Sequence, residues 1–133
     1  MSDQSLPVFI VDDDEAVRDS IQALLDSAGL ETIAFDAAEP FLEQHDSTVA
    51  GCLALDVHLP GLSGIDVLAR LKEAGTDRLM TIVITGEGDI ETAVVAMKLG
   101  AADFIEKPFD DDVFIERVQT LLQIMTRHDI IKV

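Results

Sequence analysis

Apolar positions along this chain switch repeatedly between two periods. Short unbroken apolar runs alternate with longer stretches in which apolar residues recur every three to four positions. The first run, Val8-Phe9-Ile10-Val11, reads as a strand closed by acids. In 14–28, the spacing of Ala16, Val17, Ile21, Leu24, Leu25 and Ala28 predicts an amphipathic helix stopped by Gly29. A second strand is expected over 31–35, followed by a short helix capped by Asp36, with Pro40 in its first turn, running to about residue 45. Cys52-Leu53-Ala54-Leu55 is a third strand, apolar throughout, as expected when both faces are buried.

Residues 57–63, with Pro60 and Gly61, read as a loop. A helix over 64–74 would turn Ile65, Leu68, Ala69 and Leu71 inward and stop at Gly75. A fourth strand covers 80–84, and the loop Gly86-Glu87-Gly88 leads to Asp89, the expected cap of a helix over 90–99. Its inward stripe is expected to be Ile90, Ala93, Val94 and Met97, with Val95 and Leu99 off the stripe. A fifth strand over 103–106 ends at Lys107-Pro108, and a last helix from 110 to about 126 carries Val113, Ile115, Val118, Leu121, Leu122 and Met125. This succession predicts an α/β fold: a (βα)5, doubly wound, parallel five-stranded sheet of flavodoxin-like type. Its expected strand order is 2-1-3-4-5, with a ligand crevice beside strands one and three. No repeat or linker interrupts it, so 1–133 is expected to form one domain with a core over about 7–127.

The composition narrows the possible partners. Of 133 residues, 48% are apolar, enough for a packed core. Nine basic against 26 acidic residues leave a formal charge of −17, which repels nucleic acid and anionic lipid. No apolar run has the length of a membrane span, and 1–7 has no signal-peptide pattern. The single cysteine, Cys52, lies in a strand run and reads as a small buried hydrophobe; a cytoplasmic location is expected.

The candidate chemistry lies at the ends of the runs. Asp12 and Asp13 follow the first strand, Asp56 the third and Thr85 the fourth, while Lys107 follows the fifth. In a parallel sheet these ends open on one edge. Carboxylates gathered there repel one another unless a cation lies between them, and an all-oxygen set suits Mg2+. His45, His58 and His128 are scattered, without the clustering zinc requires. Asp56 is a plausible nucleophile toward phosphorus, with the Lys107 ammonium and the Thr85 hydroxyl placed to meet phosphoryl oxygens. Each residue alone has an ordinary reading: cap, turn or solvated side chain. Asp14 is assigned as the cap of the first helix. Order, spacing and strand-end placement together favour the phosphoryl site.

Val11-Asp12-Asp13-Asp14, Asp56-Val57-His58-Leu59-Pro60-Gly61, Ile84-Thr85-Gly86 and Phe104-Ile105-Glu106-Lys107-Pro108-Phe109 resemble the response-regulator receiver domains of bacterial two-component signalling. Gly61-Leu62-Ser63-Gly64 and Ala96-Met97-Lys98 add a resemblance to the FixJ-like subgroup. The resemblance implies a phosphoacceptor: Asp56 takes a phosphoryl group from a sensor histidine kinase, with self-catalysed phosphorylation and dephosphorylation rather than conventional turnover. It implies Mg2+ held by Asp13, Asp56 and the His58 backbone carbonyl, with Asp12 acting mainly through water. Thr85 and Lys107 would contact the phosphoryl group, Lys107-Pro108 would be a cis peptide, and Phe104 would be the aromatic switch. His58 and Glu87 match positions that tune hydrolysis. The fourth helix, fifth strand and fifth helix would form the output face, for a partner, an attached output domain or a homodimer. Val95 and Leu99 are candidates for that contact, against the reading of scattered exposed apolar residues. In FixJ-like proteins a DNA-binding domain follows the receiver; the present residues contain no basic helix for that task, so DNA is expected only through such a domain. The alternative is a stand-alone receiver acting as a phosphate sink or relay intermediate.

Two other classes share features of this pattern. A flavodoxin-like electron carrier would want a phosphate-cradling loop after the first strand and stacking rings, but the chain has three acids there and no Trp or Tyr. A phosphatase with an aspartyl nucleophile commonly wants a second acid two residues on, where this chain has His58, and a cap insertion that is missing.

Overall fold

A computed structural model describes residues 6–45, 49–75 and 78–132, with side chains to 127. The leading residues 1–5 and the side chain of His128 lie outside the described residues. Five parallel strands, β1 (Val8–Val11), β2 (Thr32–Phe35), β3 (Gly51–Asp56), β4 (Leu79–Thr85) and β5 (Asp103–Glu106), form one sheet in the order β2-β1-β3-β4-β5. They alternate with α1 (Glu15–Ser27), α2 (Ala38–Gln44), α3 (Gly64–Glu73), α4 (Ile90–Lys98) and α5 (Asp111–Lys132). The expected fold class and strand order are those observed.

Strand alternation divides the core in two. Val8, Ile10, Cys52, Ala54, Ile82 and Ile84 pack with Ile21 and Leu25 of α1 and with Phe114, Val118, Leu121 and Leu122 of α5. On the other face, Phe9, Val11, Leu53, Leu55 and Val83 pack with Phe41 of α2, Val67, Leu68 and Leu71 of α3, and Ala96 of α4. Each fully buried Leu, Ile, Val or Phe contributes about 1.5–3 kcal/mol.

Several local expectations are corrected. Asp36 does not cap α2: the N-cap is Ala37, with no side-chain hydrogen bond, and Asp36 is exposed. β2 begins one residue later than expected, at Thr32, and β4 runs from Leu79 to Thr85 because pairing with β3 extends it at its start and pairing with β5 at its end. α5 continues to Lys132. Phe114, absent from the expected stripe, is fully buried, whereas Val113 is exposed. Val67 of α3 is likewise fully buried, and Ala16 of α1 is exposed.

The largest correction concerns α4. Its buried residues are Ala93 and Ala96, and Leu99 packs partly buried against the core. Ile90, Val94, Val95 and Met97 are 54, 46, 44 and 41% exposed. Two apolar stripes run along this helix, and the one with small residues faces the sheet. Leu99 therefore belongs to the interior, while Val95 is on the open face.

Candidate functional site

The register brings the strand ends together. Val11 lies beside Leu55, so the next residues, Asp12 and Asp56, fall side by side at the carboxyl edge. Asp56 is the last residue of β3 and Thr85 the last of β4. The Lys107 N–H donates to the Thr85 carbonyl at 2.8 Å, which returns the chain from β5 toward the same edge. The Lys107-Pro108 peptide is cis.

Oxygens of Asp12, Asp13 and Asp56 all lie within 4.8 Å of one another. Asp12 is 1% exposed and Asp56 6%, whereas Asp13 is open to solvent. Asp12 Oδ1 accepts from the Asp14 N–H at 2.9 Å, and the Arg18 guanidinium donates to the Asp12 carbonyl at 2.8 Å. Asp12 Oδ2 is buried without a hydrogen-bond partner. The Lys107 ammonium stands 3.6 Å from that oxygen and 4.0 Å from Asp56 Oδ2. Burial pushes the Asp12 carboxyl above its ordinary value; the Asp14 N–H opposes this, Asp56 adds to it, and Lys107 lowers it again.

The other edge of the site is built by the loops after β3 and β4. The His58 N–H donates to Asp56 Oδ1 at 3.0 Å. The His58 ring nitrogen Nε2 lies 2.9 Å from Asp89 Oδ2. Asp89 caps α4, as its position predicts, and its carboxyl is held below the ordinary range, first by the Thr92 side chain and then by His58. Gly64, the first residue of α3, presses against the candidate nucleophile's own backbone. A Cβ there would lie 2.6 Å from Val57 Cα and 2.7 Å from the Asp56 carbonyl oxygen. α3 is fastened by a capping box between Ser63 and Asp66.

Thr85 Oγ1 is buried and has no hydrogen-bond partner. Phe104 is half-buried, with its carbonyl accepting from Arg117 at 2.7 Å. Its ring borders a cavity of about 330 Å³ shared with Ile90, Ala93, Val94 and Met97. Glu87 is exposed in the β4–α4 loop, where the Gly88 N–H donates to Glu106 at 2.8 Å. Asp14 caps α1 through the amides of Ala16 and Val17, as expected. Cys52 is buried and its thiol is pushed up to about 12, so it is inert packing. The His45 ring stacks on Phe41, 5.2 Å between centroids, as part of the α2 packing.

Two features escaped the sequence reading. The first is the pairing of His58 with Asp89, 31 residues apart; no local pattern marks it. The second is an open cavity of about 880 Å³ between α1 and the segment after β5, lined by Ala16, Ser20, Leu24, Lys107, Pro108 and Phe109 among others. Ala16 gave no signal of it, since its spacing fits the apolar stripe of the helix.

Residues 8–119 match the response regulator receiver domain family. The chain is 47% identical over 119 residues to the transcriptional regulatory protein FixJ of Azorhizobium caulinodans, covering 90% of this chain and 56% of that protein. It is 40% identical over 124 residues to the response regulator protein TodT of Pseudomonas putida, covering 93% of this chain and 54% of TodT. The crystal structure of FixJ-N superimposes with a TM-score of 0.82 at 40% identity, covering 93% of this chain and 95% of that one. The chain belongs to the response regulator receiver domain family of two-component systems. Within it the chain is similar to the FixJ regulators, and it spans about half the length of the curated relatives it matches.

Proposed function

We propose that the chain is a phosphoacceptor domain in which Asp56 receives a phosphoryl group from a phosphohistidine of a sensor kinase. The observation that carries this reading is the clustering of Asp56 with the carboxylates of Asp12 and Asp13, with the Lys107 ammonium 4.0 Å from Asp56. An Asp56 oxygen attacks phosphorus; the O–P bond forms as the P–N bond breaks, and the imidazole leaves with the bonding pair. Lys107 neutralises charge on a transferred oxygen, and the partnerless Thr85 hydroxyl donates to another. The cavity between α1 and Phe109 has Lys107 in its lining and is a candidate surface for a donor segment.

The residues fit a hard divalent cation, because the donors are all oxygen and Asp12 Oδ2 is buried without a hydrogen bond. Asp13, Asp56 and the His58 carbonyl would hold Mg2+, with Asp12 acting through water. Bound Mg2+ supplies positive charge that offsets the phosphoryl oxygens.

Phosphorylation shifts a two-state equilibrium at α4 and β5. The Thr85 hydroxyl moves toward the phosphoryl group, and Phe104 takes up the space vacated. The moved α4 face then meets a partner, a second copy or an output domain; contact with DNA runs through such an output domain. His58 and Glu87 set the lifetime of the acyl phosphate. A cytoplasmic location and a single-domain organisation over 1–133 belong to the same reading. No described helix is long and apolar enough to cross a membrane.

The test is the intact mass after incubation with acetyl phosphate and Mg2+. One phosphate's mass is expected on the wild type and none on Asp56→Asn. Equal labelling of the Asn variant would overturn the assignment of Asp56.

A further inference from the structure

Asp89 makes contacts in two directions. Its Oδ1 accepts from the Thr92 N–H at 3.4 Å, closing the first turn of α4. Its Oδ2 holds the His58 ring at 2.9 Å. His58 is in turn joined by its own N–H to Asp56 Oδ1 at 3.0 Å. A continuous path therefore runs from the Asp56 carboxylate through the His58 peptide and ring to Asp89 and the start of α4. It lies on the β3–β4 side of the site, separate from Lys107, which arrives from β5.

The His58 side chain is 63% exposed, so packing does little to orient it. One polar contact, to Asp89, fixes the ring. The His58 N–H is fixed at the other end, on Asp56. With the N–H and the ring both tied, rotation about the His58 N–Cα bond is restrained, and with it the direction in which the carbonyl carbon leaves Cα.

We propose that Asp89 is a positioning residue for the acid cluster: by anchoring the His58 ring it aims the His58 carbonyl at the cation site. The proposal rests on reading the cluster as a Mg2+ site. Groups outside the ligand set that orient the ligands commonly govern metal affinity. Here the orienting group sits on a different strand loop from the ligand and is also the cap of α4.

Charge alone is a competing explanation for Asp89, since removing any nearby carboxylate weakens a cation. His58 separates the two explanations. Its removal takes away no negative charge, so a purely electrostatic account leaves Mg2+ affinity unchanged or raised in His58→Ala. A positioning account lowers it.

The experiment is Mg2+ titration of the full chain without phosphodonor, followed by backbone amide NMR shifts, for wild type, His58→Ala, Asp89→Ser and the double variant. Serine retains the cap of α4 while losing reach to His58, and the same spectra report folding. Each single variant is expected to bind about tenfold more weakly, with the double variant no weaker than Asp89→Ser alone. Wild-type affinity in His58→Ala, or losses that multiply in the double variant, would overturn the proposal. Absence of Mg2+ binding by the wild type would instead overturn the cation reading beneath it.

Discussion

The Lys107 ammonium lies closer to Asp12, at 3.6 Å, than to Asp56, at 4.0 Å. Lys107 is thus first a counter-charge to the buried, hydrogen-bond-free oxygen of Asp12 and only second a neighbour of the candidate nucleophile. A cation entering the cluster competes with it. Removing Lys107 removes a repelling charge, whereas removing Asp13 removes a ligand. Calorimetric titration is expected to show Lys107→Ala retaining or tightening Mg2+ binding and Asp13→Ala losing about tenfold or more, on the order of 1.4 kcal/mol. The opposite ranking would place the cation elsewhere.

Asp12 makes stability depend on pH. Its folded carboxyl is raised above the ordinary 3.8, with burial as the first cause. A raised acid favours the folded state fully below the ordinary value, and that advantage is lost as pH rises through the folded value. At neutral pH the ionised group therefore opposes folding. Asp12→Asn should raise the thermal midpoint of the Mg2+-free protein by a few degrees at pH 7, equivalent to about 1 kcal/mol. The gain should shrink toward zero as pH falls below about 4. A gain that is the same at both pH values would show that charge at Asp12 is not its source.

Gly64 is required by close approach rather than by a turn. Both atoms that a Cβ would meet belong to the backbone of Asp56 and Val57, which cannot swing aside as a side chain can. Gly64→Ala is expected to cost about 1–3 kcal/mol and to displace Asp56. Denaturant unfolding measures the first effect and the acetyl phosphate labelling rate the second. Loss of stability with an unchanged labelling rate would show that the strain relaxes away from the strand end.

Thr85 carries a buried hydroxyl with nothing bonded to it. Thr85→Ala should therefore change unfolding free energy by less than about 1 kcal/mol, since no made hydrogen bond is lost. It should separate labelling of Asp56 from the response of α4. Hydrogen exchange with and without acetyl phosphate is expected to change over residues 86–106 in the wild type and not in the variant. A fully labelled wild type with no change in that segment would place the switch elsewhere.

The sheet was readable because its strands are short apolar runs closed by acids, Gly or Lys-Pro, and because successive strand–helix units leave few topologies. The convergence of Asp12, Asp13, Asp56, Thr85 and Lys107 followed from strand ends alone. Helix faces were harder. α4 carries large apolar residues at Ile90, Val94 and Met97 and small ones at Ala93 and Ala96, and the period fits both stripes; only the closeness of α4 to the sheet selects the small one. Phe114 was passed over because Val113 and Ile115 flank it with equal hydrophobicity. The His58–Asp89 contact joins two loops whose separation is set by the spacing of β3 and β4, which no local pattern encodes.

Among the described residues, the two halves of the core share no buried side chain and meet only across the strands. α1 and α5, with the cavity beside Lys107, rest on one; α2, α3 and α4 rest on the other. A rearrangement of α4 can thus repack its own side while the opposite side stays as it was. The α4 part of an output face and the α1 side of the site are thus built on opposite layers, with α5 belonging to the layer of α1.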